Sequence, residues 1–303
     1  MNHANASQAK PLPKVFYKYT TRETARIVLQ NRTLRWSTPA LFNDPHDHQF
    51  DLHVDVDKEV LRGLALEKVW KAMFGGGLYI PHPKNLMGKL IQLSRLKGLV
   101  LSREEFEAEF GPAIIEGYEN AMRRLPETHQ KFREVIGTSK VLCQSEVRDS
   151  LLMWAYYAEQ HKGAVLCFRS DTVPDSPWRV ARPVQYQNAM PRLADEAFLS
   201  DMSAGLAVLD PQTLVDRVIY TKAAEWSHEQ EWRLQAGSGR HSSASYEDVP
   251  FDARELDAVI LGCVMPDDDR RSIIDIVRSK YPHASVLQAT KNDKNFRLNI
   301  AEC

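Results

Sequence analysis

Hydrophobic and polar positions divide the chain into strands and helices before any single residue is considered. Residues 15–19 (VFYKY) predict a short strand. Thr20 and Glu23 fit a capping box, in which a hydroxyl and a carboxylate three residues apart satisfy free backbone donors, so a helix should run to about Gln30. A second strand is expected over 34–37. Residues 38–45 form a turn-rich loop ending in Asn43-Asp44-Pro45, a strong turn signal. Residues 49–56 alternate, with Phe50, Leu52, Val54 and Val56 on one side, as in a half-buried strand.

From 57 to about 136 the chain is rich in helix formers, broken by Gly75-Gly76-Gly77 and by Pro81 and Pro83. A helical insertion is expected there. Within it, 84–103 carries Lys84, Lys89, Arg95, Lys97 and Arg103 and no acid, with an apolar face. Such a segment suits nucleic acid or a membrane surface, but a solvated helix face is the simpler expectation. The core resumes with a strand over 140–145 (KVLCQS), a helix over 150–160 and a buried strand in GAVLCFR from Gly163. A further strand is expected over 180–186, helices over 192–208 and 211–219, and strands over 229–236 and 256–262. An acid-capped helix to about Lys280 and short strands over 284–288 and 296–300 close the chain.

Strands and helices interleave without a regular βαβ rhythm, which argues for an α+β fold rather than a doubly wound sheet. A single domain over 15–303 is expected, behind a disordered N-terminal segment over 1–14. Apolar residues make up 43 % of the 303, enough for a substantial core. The net charge of −1 gives no global reason to expect a polyanion. No apolar run approaches the ~20 residues of a membrane span, and the first residues lack the apolar stretch of a secretion signal. A cytoplasmic location and no membrane partner are therefore expected. Cys143, Cys167, Cys263 and Cys303 form no C-x-x-C pair, and the first three lie in apolar strand-like runs, so buried free thiols are expected.

Three groups of residues carry candidate chemistry. In Glu229-Gln230-Glu231-Trp232-Arg233, strand alternation would put Glu229, Glu231 and Arg233 on one face, with Trp232 and Leu234 turned to the core. Two carboxylates ~7 Å apart along a strand repel when both ionise, so stability does not explain them. They suit holding ribose hydroxyls, stabilising a cationic centre or accepting a proton. Arg233 would orient one of them or bind phosphate. The competing reading is a solvent-facing strand with a salt bridge. The second group is Trp154, Tyr157 and His161, whose spacing shares a helix face near its end and suits a planar ring. Their alternative is two core aromatics and a capping imidazole. The third is Trp36-Ser37-Thr38 with Asn43-Asp44-Pro45, followed by His46-Asp47-His48. That last triplet suggests metal binding, yet only Asp44 and Asp51 lie near as further ligands, and no metal is expected. No G-x-G-x-x-G, Walker loop, G-x-S-x-G or H-E-x-x-H occurs.

An ordered set of motifs carries a resemblance: Tyr17-Lys18-Tyr19, Trp36-Ser37-Thr38-Pro39, Phe42-Asn43-Asp44-Pro45, Leu152-Met153-Trp154-Ala155-Tyr156-Tyr157-Ala158, His161-Lys162-Gly163, then Lys222, Trp226, Glu229, Glu231 and Arg233, then Val259-Ile260-Leu261-Gly262. Over about 15–262 the chain resembles a bacterial family of domains of unknown function (family two-nine-seven-one). More loosely, its opening resembles the ADP-ribosyltransferase superfamily, including toxins that modify DNA. That likeness implies a mixed, largely antiparallel sheet core of ADP-ribosyltransferase type with the helical insertion, and NAD as substrate. It implies that Glu231 holds the nicotinamide ribose, that Glu229 activates the acceptor, and that Lys18, Tyr19 and Thr20 contact NAD. Ser37, Asn43, Asp44, Trp154, Tyr157, His161 and Arg233 complete the expected NAD site. The superfamily's first-motif Arg or His is replaced by Lys18 or Tyr19, and Ser37-Thr38 comes earlier than its Ser-Thr-Ser motif.

The leading expectation is thus an NAD-consuming transferase acting on nucleic acid or protein, as a toxin or phage-defence effector with a partner protein or antitoxin. The alternatives are a ligand-sensing module using Trp154, Tyr157 and His161, and a metal-dependent nuclease using Asp44, Glu229, Glu231 and Lys222.

Overall fold

The computed structural model describes residues 10–48 and 52–303. In chain order the elements are β1 (Val15–Thr20), α1 (Arg22–Asn31), β2 (Thr33–Ser37), β3 (His53–Val54), α2 (Lys58–Phe74), α3 (Leu86–Leu96), α4 (Arg103–Thr138), β4 (Val141–Ser145), α5 (Leu151–Tyr157) and β5 (Ala164–Arg169). They continue with β6 (Arg182–Pro183), β7 (Gln185–Gln187), β8 (Arg192–Ala194), α6 (Glu196–Ser203), α7 (Pro211–Ile219), β9 (Thr221–Ala223), β10 (Glu231–Gln235), β11 (Tyr246–Pro250), β12 (Leu256–Leu261), α8 (Asp267–Lys280), β13 (Ser285–Lys291) and β14 (Leu298–Glu302). The fold is α+β, with a mostly antiparallel mixed sheet.

The chain separates into two compact units. The first contains residues 10–48, Val135–Asn188 and Tyr220–Cys303. Its sheet runs β11-β2-β4-β1-β5-β12-β13-β14, with β10 also on β4 and β6 on β10. In this sheet β12 and β13 are parallel, because α8 returns the chain between them. The strand β5 explains why a central run reads as continuously apolar: Ala164, Leu166 and Phe168 join one core cluster, while Val165 and Cys167 join the other. On the first side they meet Phe16, Trp178, Trp232, Val259 and Leu261. The helices α1 and α8 cover that side through Ala25, Val28, Leu29, Ile273 and Val277.

Local signals set the ends of these elements. Thr21, not Thr20, caps α1: its hydroxyl accepts from the Thr24 amide at 3.2 Å, one residue later than the capping-box spacing suggests. The 150–160 helix is shorter than expected. It starts at the Ser150 cap and stops at Tyr157, because Glu159, Gln160 and His161 all adopt left-handed backbone angles (φ 50, 49 and 67°). Residues 10–14 also depart from the disordered lead-in expected over 1–14. Ser170 donates from its hydroxyl to the Pro13 carbonyl at 2.8 Å and from its amide to that of Lys14 at 3.1 Å. The remainder of that expectation, over 1–9, lies outside the described residues.

The second unit contains 52–134 and Ala189–Ile219. It is built from α2, α3, most of α4, α6, α7 and the short parallel β3–β8 ladder, around Leu66, Val69, Met73, Ile91 and Phe106. This grouping joins the stretch expected as an insertion over about 57–136 to a later segment of the chain. The helices expected over 192–208 and 211–219 belong with the insertion, and the first of them yields to β8 at its start. Of the strand expected over 49–56, only His53–Val54 is seen; Gln49, Phe50 and Asp51 lie outside the described residues.

Candidate functional site

The strand β10 shows how alternation builds the site. Trp232 and Leu234 enter the core, while Glu231 and Arg233 take the opposite face. Glu229 departs from the expected common strand face. It ends a 3-10 turn (Ala224–Glu229), and Gln230 then adopts a left-handed conformation (φ 43°) before β10 begins at Glu231. The two carboxylates nevertheless converge, because both turn toward Lys222. That lysine comes from β9, which pairs in parallel with β7 and so stands beside Tyr186. Tyr186 in turn accepts a hydrogen bond from the Glu231 amide at 2.8 Å.

The result is a buried ionic network rather than the solvent-facing salt bridge of the competing reading. Lys222 Nζ donates to Glu229 Oε2 at 2.6 Å and lies 3.3 Å from both Glu231 Oε2 and Asp47 Oδ2. Arg233 binds Asp47 with two parallel bonds, Nη1 to Oδ1 at 3.0 Å and Nη2 to Oδ2 at 2.7 Å. It also reaches Glu231, Nε to Oε1 at 2.7 Å and Nη2 to Oε2 at 2.8 Å. The His48 ring sits 2.7 Å from Asp47 and against Arg233, with Phe42 packed edge-on. Tyr157 closes the other end, donating its hydroxyl to Glu229 Oε1 at 2.5 Å while accepting from Asn43 Nδ2 at 2.9 Å.

The charges are unequal: Asp47, Glu229 and Glu231 face the two cations Lys222 and Arg233. The imbalance divides the carboxylates. Burial alone would raise Glu231, but Arg233 and Lys222 outweigh it and hold the group down at about 2. Glu229 goes the other way, because burial and the neighbouring Glu231 charge raise it above its ordinary 4.5. Asp47 is held low despite its burial by His48 and Arg233. Burial and Arg233 lower His48, which favours the neutral ring. Burial and the Glu231 charge push the Cys143 thiol well up, which disfavours a thiolate nucleophile.

Beside this network lies a cleft of about 270 Å³. It forms where β4 meets β1 at Tyr17 and Ser145 alone and meets β2 at Ser37 and Val141 alone, so that the strands splay. Of the residues expected in the site, Lys18, Tyr19, Ser37, Asn43, Tyr157, Glu229 and Glu231 line it. Thr20, Asp44, Trp154, His161 and Arg233 do not. Trp154 is core, fully buried and edge-on to Tyr19. His161 lies beyond the end of α5 and stacks on Trp154, so the three-residue ring platform is not formed. Asp44 folds its own loop by accepting from the His46 amide at 2.9 Å. Arg233 stands behind Glu231 and is bonded to the carboxylates of Glu231 and Asp47, so of its two expected roles the contacts match orienting a carboxylate rather than meeting a phosphate in the cleft.

Sequence reasoning leaves out several residues of the site. Arg35 lines the cleft, held by Asp248 at 3.0 and 3.1 Å and stacked over Tyr246. Alternation in β2, with Leu34 and Trp36 in the core, is the signal that points to it. Spacing groups Asp47 with its flanking histidines as a metal triplet, yet Asp47 and His48 serve Arg233 instead. Among the described residues, no group of three or more His, Cys, Asp or Glu is arranged to hold a metal ion. Among them, too, no helix is long and apolar enough to cross a membrane. Comparison of the chain with family models, curated proteins and solved structures finds no match.

Proposed function

We propose that the protein is an ADP-ribosyltransferase-like enzyme that breaks the bond between nicotinamide and ribose in NAD and passes the ADP-ribosyl group to nucleic acid or protein. The observation that carries this reading is the meeting of Lys18 and Tyr19 from the first strand with Glu229 and Glu231 from the late segment around one cleft. The cleft volume is just under the ~300–1,000 Å³ typical of small-molecule pockets, which suits a ring and a sugar with the rest of the dinucleotide outside. Lys18, which donates to the Cys143 carbonyl at 2.7 Å, and Arg35, which is held by Asp248, stand on its wall and add positive charge there.

In this reading the ionised Glu231 supplies negative charge near the ribose carbon as the bond to nicotinamide breaks and its electron pair leaves with the ring. The acceptor's oxygen or nitrogen forms the new bond to that carbon, and Glu229 takes the proton it loses. Tyr157 and Lys222 aim Glu229. The metal-dependent nuclease alternative fits less well, because Lys222 fills the space among the three carboxylates where a cation would be drawn.

A specific observation favours a second reading, a ligand-binding module without turnover: Arg233 and Lys222 already occupy both oxygens of Glu231. One experiment separates the two. The protein is incubated with NAD labelled in its adenylate half, together with DNA, RNA and cell extract, and nicotinamide release and label transfer are measured. The transferase reading expects both, with Glu229→Gln slowed about 10²–10⁴-fold. A thermal shift with NAD but no release, and no difference between the wild type and Glu229→Gln, overturns it in favour of the binding module.

A further inference from the structure

The helix α3 presents apolar side chains on both of its sides. Its inner side is fixed within the second unit by Ile91, which is buried, and by Gly88, where an added Cβ would lie 2.9 Å from the Gly205 carbonyl oxygen. Asn85 caps the helix through the Gly88 amide and donates to the carbonyls of Met202 and Ala207, at 2.9 and 2.6 Å. Arg95 also turns inward, donating to the carbonyls of Ala72 and Gly77 at 2.7 and 2.8 Å. The helix is therefore docked, and its outward leucines are not the result of a loose fit.

Those leucines recur at helical spacing. Leu86, Leu90 and Leu93 form an outward row, and Leu96 stands beside it, 83 % exposed. The flanking loops also expose apolar side chains, Leu78 at 90 % and Val100 at 86 %. Scattered exposed leucines are ordinary, but a contiguous set on a docked helix marks a contact surface. Along this stretch of the chain the charges have one sign. From 75 to 102 the chain has no acid, and Lys84, Lys89 and Lys97 stand exposed.

We infer that α3 and its flanking loops form a peripheral docking surface for an anionic lipid bilayer, lying in the plane of the interface. Leu86, Leu90, Leu93 and Leu96 enter the boundary between headgroups and acyl chains, while Lys89 and Lys97 extend to the phosphates. The expectation of no membrane partner rests on the lack of a spanning segment, and a helix lying in the interface needs none. A second copy of the chain fits this surface less well. Two-fold pairing through α3 would bring Lys89 and Lys97 toward the same lysines of the copy, with no acid on the helix to meet them. Nucleic acid would leave the leucine row uncovered.

The test is co-sedimentation of the full chain with vesicles of phosphatidylcholine alone and of phosphatidylcholine mixed with phosphatidylserine. The expected result is binding to the mixed vesicles that weakens as salt is raised. Leu90→Glu/Leu93→Glu and Lys89→Gln/Lys97→Gln should each lower the bound fraction, the first by at least about tenfold. All four side chains are exposed, so melting curves of both variants should match the wild type. Failure to sediment with the mixed vesicles overturns the proposal, as does binding that survives Leu90→Glu/Leu93→Glu. Self-association without vesicles that is lost in Leu90→Glu/Leu93→Glu overturns it in favour of a second copy.

Discussion

Asp47 and Arg233, 186 residues apart and both buried, meet through two parallel hydrogen bonds of 3.0 and 2.7 Å. The pair fastens the loop that follows β2 to the strand that carries Glu231. A buried pair is not strong evidence of net stability, because desolvation offsets much of the attraction, but removing one partner leaves the other charge uncompensated. Asp47→Asn should therefore cost about 3–5 kcal/mol in urea unfolding. Arg233→Lys should also destabilise, since an ammonium cannot supply the planar fork that serves Asp47 and Glu231 together. Unfolding midpoints equal to the wild type in both variants would show that the network adds nothing to the fold.

Tyr157 gives a separate handle on Glu229. Its hydroxyl donates to the carboxylate and favours the ionised form, against burial and the Glu231 charge, which together raise the group. In Tyr157→Phe the Glu229 pKa should rise further. Carbon-13 labelling of the glutamate carboxyls, followed by NMR titration, reads this without any assumption about substrate. A Glu229 midpoint that stays put or falls in Tyr157→Phe contradicts the arrangement. If the transferase reading holds, the alkaline-rising limb of kcat/KM should move to higher pH in the same variant, because Glu229 must be ionised to accept a proton.

Much of this site is legible in the sequence, and the part that is not has a definite cause. Trp232 and Leu234 mark the buried face of β10, so Glu231 and Arg233 follow on the other face by alternation. Glu229 does not follow, because a left-handed Gln230 interrupts the strand, and residue spacing carries no sign of that turn. Lys222 is readable as a motif residue, but its place among the carboxylates follows only once β9 is paired with β7, a contact between three-residue strands too short to have a period. Trp154, Tyr157 and His161 have helical spacing, yet the helix ends at Tyr157, and of the three that residue alone reaches the cleft. The second unit is half visible. Its helices over 57–136 are readable from composition, but the return of 189–219 to the same unit is a tertiary fact.

Acid should act on the network through Glu231. Its folded pKa of about 2 lies below its ordinary 4.5, so the unfolded chain binds more protons between those values. A group depressed on folding contributes stability that is present above the unfolded pKa and is lost as pH falls through the folded one. Asp47, also held low, adds a loss in the same direction. Glu229 has the opposite sign: its raised pKa favours the folded state at low pH and loses that contribution as pH rises through the folded value. Unfolding free energy measured against pH should therefore fall from about pH 4.5 toward about pH 2. In Glu229→Gln the decline that begins above pH 4.5 should flatten, leaving the acid loss in place. A variant curve parallel to the wild type across that range would remove Glu229 from the titrating set.

The turn behind α5 makes the last prediction, and it concerns backbone rather than charge. Glu159, Gln160 and His161 are consecutive left-handed residues, a costly arrangement for side chains that are not glycine. Hydrogen bonds hold the turn: the His161 amide donates to the Trp154 carbonyl at 3.1 Å, and the Val264 amide donates to that of His161 at 3.2 Å. Two glycines let it lie close to the sheet. A Cβ on Gly163 would be 2.1 Å from the Thr20 carbonyl oxygen, and one on Gly262 would be 2.1 Å from that of His161. Both obstacles are backbone atoms, so neither can swing away as a side-chain tip would. Gly163→Ala and Gly262→Ala should each destabilise by about 1–3 kcal/mol, as overpacked interiors do. Gly76→Ala, where nothing lies within 4 Å, should be close to neutral by the same thermal melt. Because α5 carries Tyr157, the first two variants should also disturb the Glu229 titration, and Gly76→Ala should leave it unchanged. Equal melting temperatures for all three would mean that the turn does not press on the sheet at these glycines.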